Sequence, residues 1–242
     1  MKTLNSNKYM AAARQTGLLV GVLALMSVQA TKAIPYLQLD ASPGTYNNSS
    51  QTTISSASDF TLYALLNGLT PQAGATYYIL AAVEPAQSTP ANLGSFVFNG
   101  TTVHVTSDMT YGTPSGMPPH GVYPTYYSMF AFTWNLANTF DNYDVSLVSG
   151  NHSGPTYDAS GKSLYMAFDV DASGLSAGEA LWFDVVEYYD KTNRNGSVTL
   201  VENNEPFSHA AQSGNSVPDG GMTVMLLGAA LAGLGLLKHR FA

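Results

Sequence analysis

Between residues 34 and 216, short runs rich in β-branched and aromatic residues alternate with clusters of Gly, Pro, Asn, Asp and Ser. That pattern reads as strands separated by turns. About eleven strands are predicted, at 36–40, 52–55, 60–66, 76–83, 95–98, 102–106, 128–134, 143–148, 163–170, 180–189 and 197–201. Period two is plain in the ninth of these, where Leu164, Met166, Phe168 and Val170 share one face and Tyr165, Ala167 and Asp169 the other. In the next run Leu181, Phe183 and Val185 oppose Trp182, Asp184 and Val186. Asn99-Gly100 is a two-residue hairpin signal. No stretch here keeps a 3.6-residue apolar period beyond two turns. The expectation is an all-β chain folded as a single β-sandwich of jelly-roll-like type over residues 34–211, with a polar linker at 212–216.

The termini have a different texture. Lys2, Lys8 and Arg14 precede an apolar stretch at 17–28, and small residues follow. This is the layout of a secretory signal peptide. Cleavage fits after Ala30 or Ala33; the second is preferred, making residues 1–33 the signal peptide and Ile34 the mature start. At the other end Val217-Pro218-Asp219-Gly220-Gly221 leads into an apolar run at 222–237, closed by Lys238-His239-Arg240. As a helix, its apolar residues span roughly 21–24 Å, short of the ~30 Å hydrocarbon core. Local bilayer thinning and snorkelling of Lys238 and Arg240 would let it serve as a transmembrane helix with a cytoplasmic C-terminus.

Export changes the charge balance. The whole chain carries a net charge of −7, but the ectodomain keeps only Lys162, Lys191 and Arg194 against fifteen acids, close to −12. Nucleic acid is excluded as a partner, since phosphate binding needs cations. There are no cysteines, which removes thiol chemistry and Cys-ligated zinc. A domain of this length buries enough core to stand without disulfides.

Candidate chemistry is sparse. Asp169, Asp171 and Ser173, with Gly174, match the first half of a calcium-binding loop, but the closing carboxylate is missing because position twelve is Ala180. Calcium is thus a candidate ligand, against an ordinary Asp-rich turn. His120, Tyr123, Tyr126 and Tyr127 lie in a segment stiffened by Pro118, Pro119 and Pro124. They form a candidate glycan-stacking loop, against a structural loop locked over a sheet end. His104, flanked by Val103 and Val105, points outward on its strand. Glu84, Glu179, Glu187, Glu202 and Glu205 could supply a glycosidase pair, but no spacing joins any two of them. The doublets Tyr77-Tyr78, Tyr126-Tyr127 and Tyr188-Tyr189 each send one ring inward and one outward if extended. No catalytic residue and no cofactor other than calcium is expected.

The signature at 217–221, the apolar run and the basic end resemble the VPDSG-CTERM variant of the PEP-CTERM sorting signals, with Gly220 where Ser is usual. That resemblance implies processing by an exosortase-type membrane enzyme in an exopolysaccharide-producing cell. The ectodomain is similar to the choice-of-anchor N family in the segments at 37–40, 59–66, 118–127 and 206–210. It implies a displayed surface or secreted protein and carries no established activity. The expected partners are therefore signal peptidase, an exosortase, the inner membrane transiently through the tail, and exopolysaccharide. The expected role is structural or adhesive at the cell envelope, outer surface or matrix. A calcium-assisted carbohydrate-binding module is the alternative, and a secreted glycan hydrolase a third reading.

Overall fold

The computed structural model describes residues 36–86, 92–115, 117, 121–141, 143–204 and 209–214. The expected signal peptide at 1–33, the expected sorting tail at 217–242, Pro118, Pro119, His120 and Glu205 lie outside the described residues. In chain order the strands are β1 (Leu37–Ser42), β2 (Gly44–Asn47), β3 (Thr52–Ser55), β4 (Asp59–Asn67), β5 (Thr76–Glu84), β6 (Ser95–Phe98), β7 (Thr101–His104) and β8 (Thr110–Gly112). They continue with β9 (Thr125–Phe132), β10 (Thr139–Phe140), β11 (Asn151–His152), β12 (Ser163–Asp171), β13 (Ala180–Thr192), β14 (Val198–Asn204) and β15 (Ala210–Gln212). One helical turn, α1 (Val105–Asp108), joins β7 to β8.

The chain is all-β and forms two sheets. The first runs β1-β4-β12-β6-β7, with β10 on the other end of the edge of β12 that β6 uses. The second runs β11-β2-β3-β15-β13-β5-β9-β8, and β14 pairs with the far end of β13. All pairings are antiparallel except β15 with β3. The thirteen-residue β13 outreaches any single neighbour, so β15 serves its start and β14 its end.

Alternation determines what each sheet buries. Leu62, Ala64 and Leu66 of β4 and Leu164, Phe168 and Val170 of β12 meet Ile79, Ala81 and Val83 of β5 and Leu181, Phe183 and Val185 of β13 in one core. Removing these side chains from water is the main driving force for sheet-on-sheet packing. The aromatic ladder inside it is close, with Phe98 and Phe130 stacked at 4.2 Å and Phe60 edge-on to Phe183 at 6.1 Å. The Asn99-Gly100 hairpin forms as the sequence predicts. Both residues take positive φ (49° and 79°) and Phe98 pairs with Thr101, the geometry that a primed two-residue turn requires.

Two expectations need correction. The predicted strand at 143–148 is a 3-10 turn at Val145–Leu147. Asp144 Oδ1 accepts from the Ser146 amide and hydroxyl, and the Val145 amide goes to Gln38 Oε1 on β1, so side chains take the place of a ladder. Gln212 and Ser213 belong to the folded domain rather than a linker. Ser213 is fully buried and exchanges two hydrogen bonds with the backbone of Leu181. The short strands β2, β8, β10, β11 and β15 carry too few residues for a visible period and follow from pairing alone.

Candidate functional site

The outer face of the second sheet is the informative surface. Residues that pair directly across antiparallel strands share a face. Glu202 pairs with Tyr188 and Leu200 with Asp190, while Val186 pairs with Tyr78 and Leu80 with Met129. The side of β13 carrying Trp182, Asp184, Val186, Tyr188 and Asp190 is therefore continuous with Tyr78 on β5, Tyr127 on β9 and Glu202 on β14. At one end this face is covered. Val122 from the proline-rich segment joins Leu80, Ala82, Trp182 and Ala210 in a second apolar cluster, with Met117, Tyr123 and Tyr127 packed against it. Burial of Asp184, 3% exposed, is satisfied by Trp182 Nε1 at 2.8 Å and by the Tyr123 hydroxyl at 3.4 Å.

At the other end the face is open. Here a cavity of about 560 Å³ is floored by Tyr78, Tyr127, Met129 and Tyr188. Pro114 and Ser115 form one wall; Asp190, Leu200 and Glu202 form the other. Tyr78 and Tyr188 meet edge-on at 5.8 Å, and the Tyr188 hydroxyl donates to the Ser115 carbonyl at 3.4 Å, tying floor to wall. Burial, then the nearby Glu202 carboxylate, pushes the Tyr188 phenol above its ordinary range, so it stays a neutral donor. Half-buried tyrosine faces beside carboxylates can stack on an apolar ring face and accept hydrogen bonds from its polar edge.

The expected site residues are only partly united. Tyr127 lines the cavity. Tyr123 is half-buried and spends its hydroxyl on Asp184. Tyr126 is not a surface contact: it is 6% exposed, belongs to the main core and lies edge-on to Tyr111 at 5.3 Å. Alternation explains this, since neighbours on β9 face opposite ways. His104 is exposed, as expected. Asp169 and Asp171 sit on strand β12 rather than in a loop, and Asp171 Oδ1 accepts from the Ser173 amide at 2.8 Å. The side-chain and backbone hydrogen bonds from Ser173 hold that carboxyl below the usual range. Among the described residues no three His, Cys, Asp or Glu side chains converge as a metal site. Of the polar cavity residues Tyr78, Tyr188, Asp190 and Glu202, only Asp190 was not singled out in the sequence. The tyrosine doublets flagged two of them, but only strand register brings them together.

The glutamates are dispersed. Glu187, 1% exposed, accepts from the Tyr77 hydroxyl at 2.5 Å and from Asn203 Nδ2 at 2.8 Å. Glu84 lies at the opposite end of β5, where Gln212 donates to it. The seven rungs between them span roughly 24 Å, so they cannot flank one bond. Burial pushes Glu84 up to about 7. Its charged form is thus disfavoured by folding, and stability falls as pH rises from the ordinary carboxylate range through 7. Glu84→Gln is expected to raise the melting temperature at pH 8 and leave it nearly unchanged at pH 5. An equal shift at both values would overturn that assignment.

A second polar cluster lies beside β1. Asp40, fully buried, binds His152 Nε2 at 2.7 Å and the Tyr143 hydroxyl at 2.9 Å. His152 Nδ1 lies 3.3 Å from the Gly150 carbonyl, so both ring nitrogens are engaged. Asp144 is matched with His209 Nε2 at 3.0 Å. Burial alone would raise Asp144, but the hydrogen bonds from Ser146 and His209 outweigh it and hold the carboxyl below its usual range. With no free ring nitrogen and little exposure, the His152–Asp40 pair acts as a clamp between β1 of one sheet and β11 of the other. No protein-family model matches the chain, and no curated protein matches it.

Proposed function

We propose that this chain is an exported cell-surface or matrix protein that adheres to polysaccharide through the outer face of its nine-stranded sheet. The observation that carries the binding part is the tyrosine-floored cavity of about 560 Å³, a size suited to one or two sugar rings. Export rests on the terminal patterns: a signal peptide at 1–33 and a VPDSG-CTERM-like tail at 217–242, cut near 217–221 by an exosortase-type enzyme. The jelly-roll-like winding fits a chain that crosses between sheets from β4 to β5, from β5 to β6 and from β12 to β13. The reading is adhesive rather than catalytic.

Two measurements test it. On a glycan array the full-length chain in mild detergent is expected to retain a polysaccharide. Tyr188→Ala should weaken that retention at least ten-fold, as expected for an anchoring aromatic. Tyr157→Ala, an exposed tyrosine outside the cavity, should not. Retention lost on chelation would favour the calcium-assisted version instead. Mass spectrometry of envelope and secreted fractions should find chains starting at Ile34 and ending within 217–221. An intact 242-residue chain in the cytosol would overturn the export reading.

A further inference from the structure

The carboxylates of the cavity have consequences for which sugars it takes. Asp190 and Glu202 stand on adjacent strands, one register step apart, since Glu202 pairs with Tyr188 and Leu200 with Asp190. Both line the same cavity as Tyr78, Tyr127 and Tyr188. Among the described residues neither side chain accepts a hydrogen bond or meets a cation, although Glu202 is half-buried. A half-buried carboxylate without a partner is an unfilled demand for a donor, preferably a charged one. The lining contains no Lys, Arg or His among the described residues. The three basic residues of the ectodomain do not balance its fifteen acids, so the long-range field also draws cations in.

We infer that the cavity selects a cationic sugar, a hexosamine unit with a free amine, over its neutral N-acetylated form and over acidic sugars. The inference rests on the adhesive reading of the same cavity. The ring stacks on Tyr78 and Tyr188, and the ammonium group reaches Asp190 and Glu202. The tyrosine faces themselves attract a cation placed above them. Uronic-acid polymers meet like charge at the same wall and are rejected.

The discriminating experiment titrates the full-length chain in mild detergent, by isothermal calorimetry, with two oligosaccharides of one backbone: β-1,4-linked glucosamine and its fully N-acetylated form. The expected result is at least ten-fold tighter binding of the free amine at low salt, a preference that shrinks as salt rises. Asp190→Asn and Glu202→Gln should each reduce amine binding by about five-fold, the upper range for a part-exposed ion pair. Both should leave binding of the acetylated form unchanged. Because both replacements are isosteric and lie on the exposed side of the sheet, an unchanged melting temperature confirms folding. If both sugars bind equally and Tyr188→Ala abolishes both, the adhesive reading stands and the selectivity for amines is overturned. If neither sugar binds, or binding ignores Tyr188, the cavity reading itself falls.

Discussion

Asp40→Ala is expected to lower the unfolding free energy by about 3–5 kcal/mol, the range seen when one partner of a buried charge pair is removed. The loss exceeds that of a surface ion pair because the fully buried carboxylate has three dependants. The half-buried His152 Nε2 and Tyr143 hydroxyl and the buried Ala41 amide all bind it. Burial first, then the Asp40 charge, raises the Tyr143 phenol, which therefore remains a neutral donor in need of that acceptor. The pH profile supplies a second signature. The hydrogen bond that His152 donates to Asp40 outweighs desolvation and raises His152 above its ordinary value of 6.5. The pair's contribution is thus complete below 6.5 and is lost as pH climbs through the raised value. Glu84 adds loss in the same direction as pH rises toward 7 and beyond. Asp144, held low, loses its contribution only under acid conditions, as pH falls through its depressed value. Stability should therefore peak in the mildly acidic range, and Asp40→Asn should flatten the alkaline side. Urea denaturation followed between pH 4 and 9 would read this out. A loss below about 1 kcal/mol, or an unchanged pH slope, would overturn the clamp assignment.

Phe183→Ala is the second large effect, with an expected cost of about 3–5 kcal/mol. Phe183 has no exposure and sits on β13, whose neighbours β5 and β15 flank it with Ala81 and Ala211. Small residues on both sides leave nothing able to swing into the cavity created. The edge-on contact with Phe60 across the sheets is lost as well. For a domain of this size the melting temperature should fall by about 6–20 °C. Phe183→Leu, which keeps most of the volume, should cost less than half as much. If Ala and Leu prove equivalent, the site relaxes in a way the packing does not indicate.

The main strands were readable because each carries four or more residues of alternating burial. In β12 and β4 the residues placed on one face by period two are the ones that meet the opposing sheet. In β13 alternation gives the two faces as they are found, Leu181, Phe183 and Val185 in the main core and Trp182 in the second cluster. Both faces are buried at that end, and nothing local records which segment covers the outer one. The segment around Tyr123 is an instance: Val122 and Tyr123 pack on the outer cluster and Tyr127 lines the cavity, placements that no local pattern announces.

What the sequence by itself determined is the all-β character, the Asn99-Gly100 hairpin, the inward faces of the long strands and the acidic, cysteine-free composition. These are local properties, set by side-chain period, turn chemistry and charge count. Tertiary structure alone decided the gathering of Tyr78, Tyr127, Tyr188, Asp190 and Glu202 into one cavity, and of Asp40 with His152 across 112 positions. Register and sheet order bring such residues together, and both are settled by the packing of the whole core.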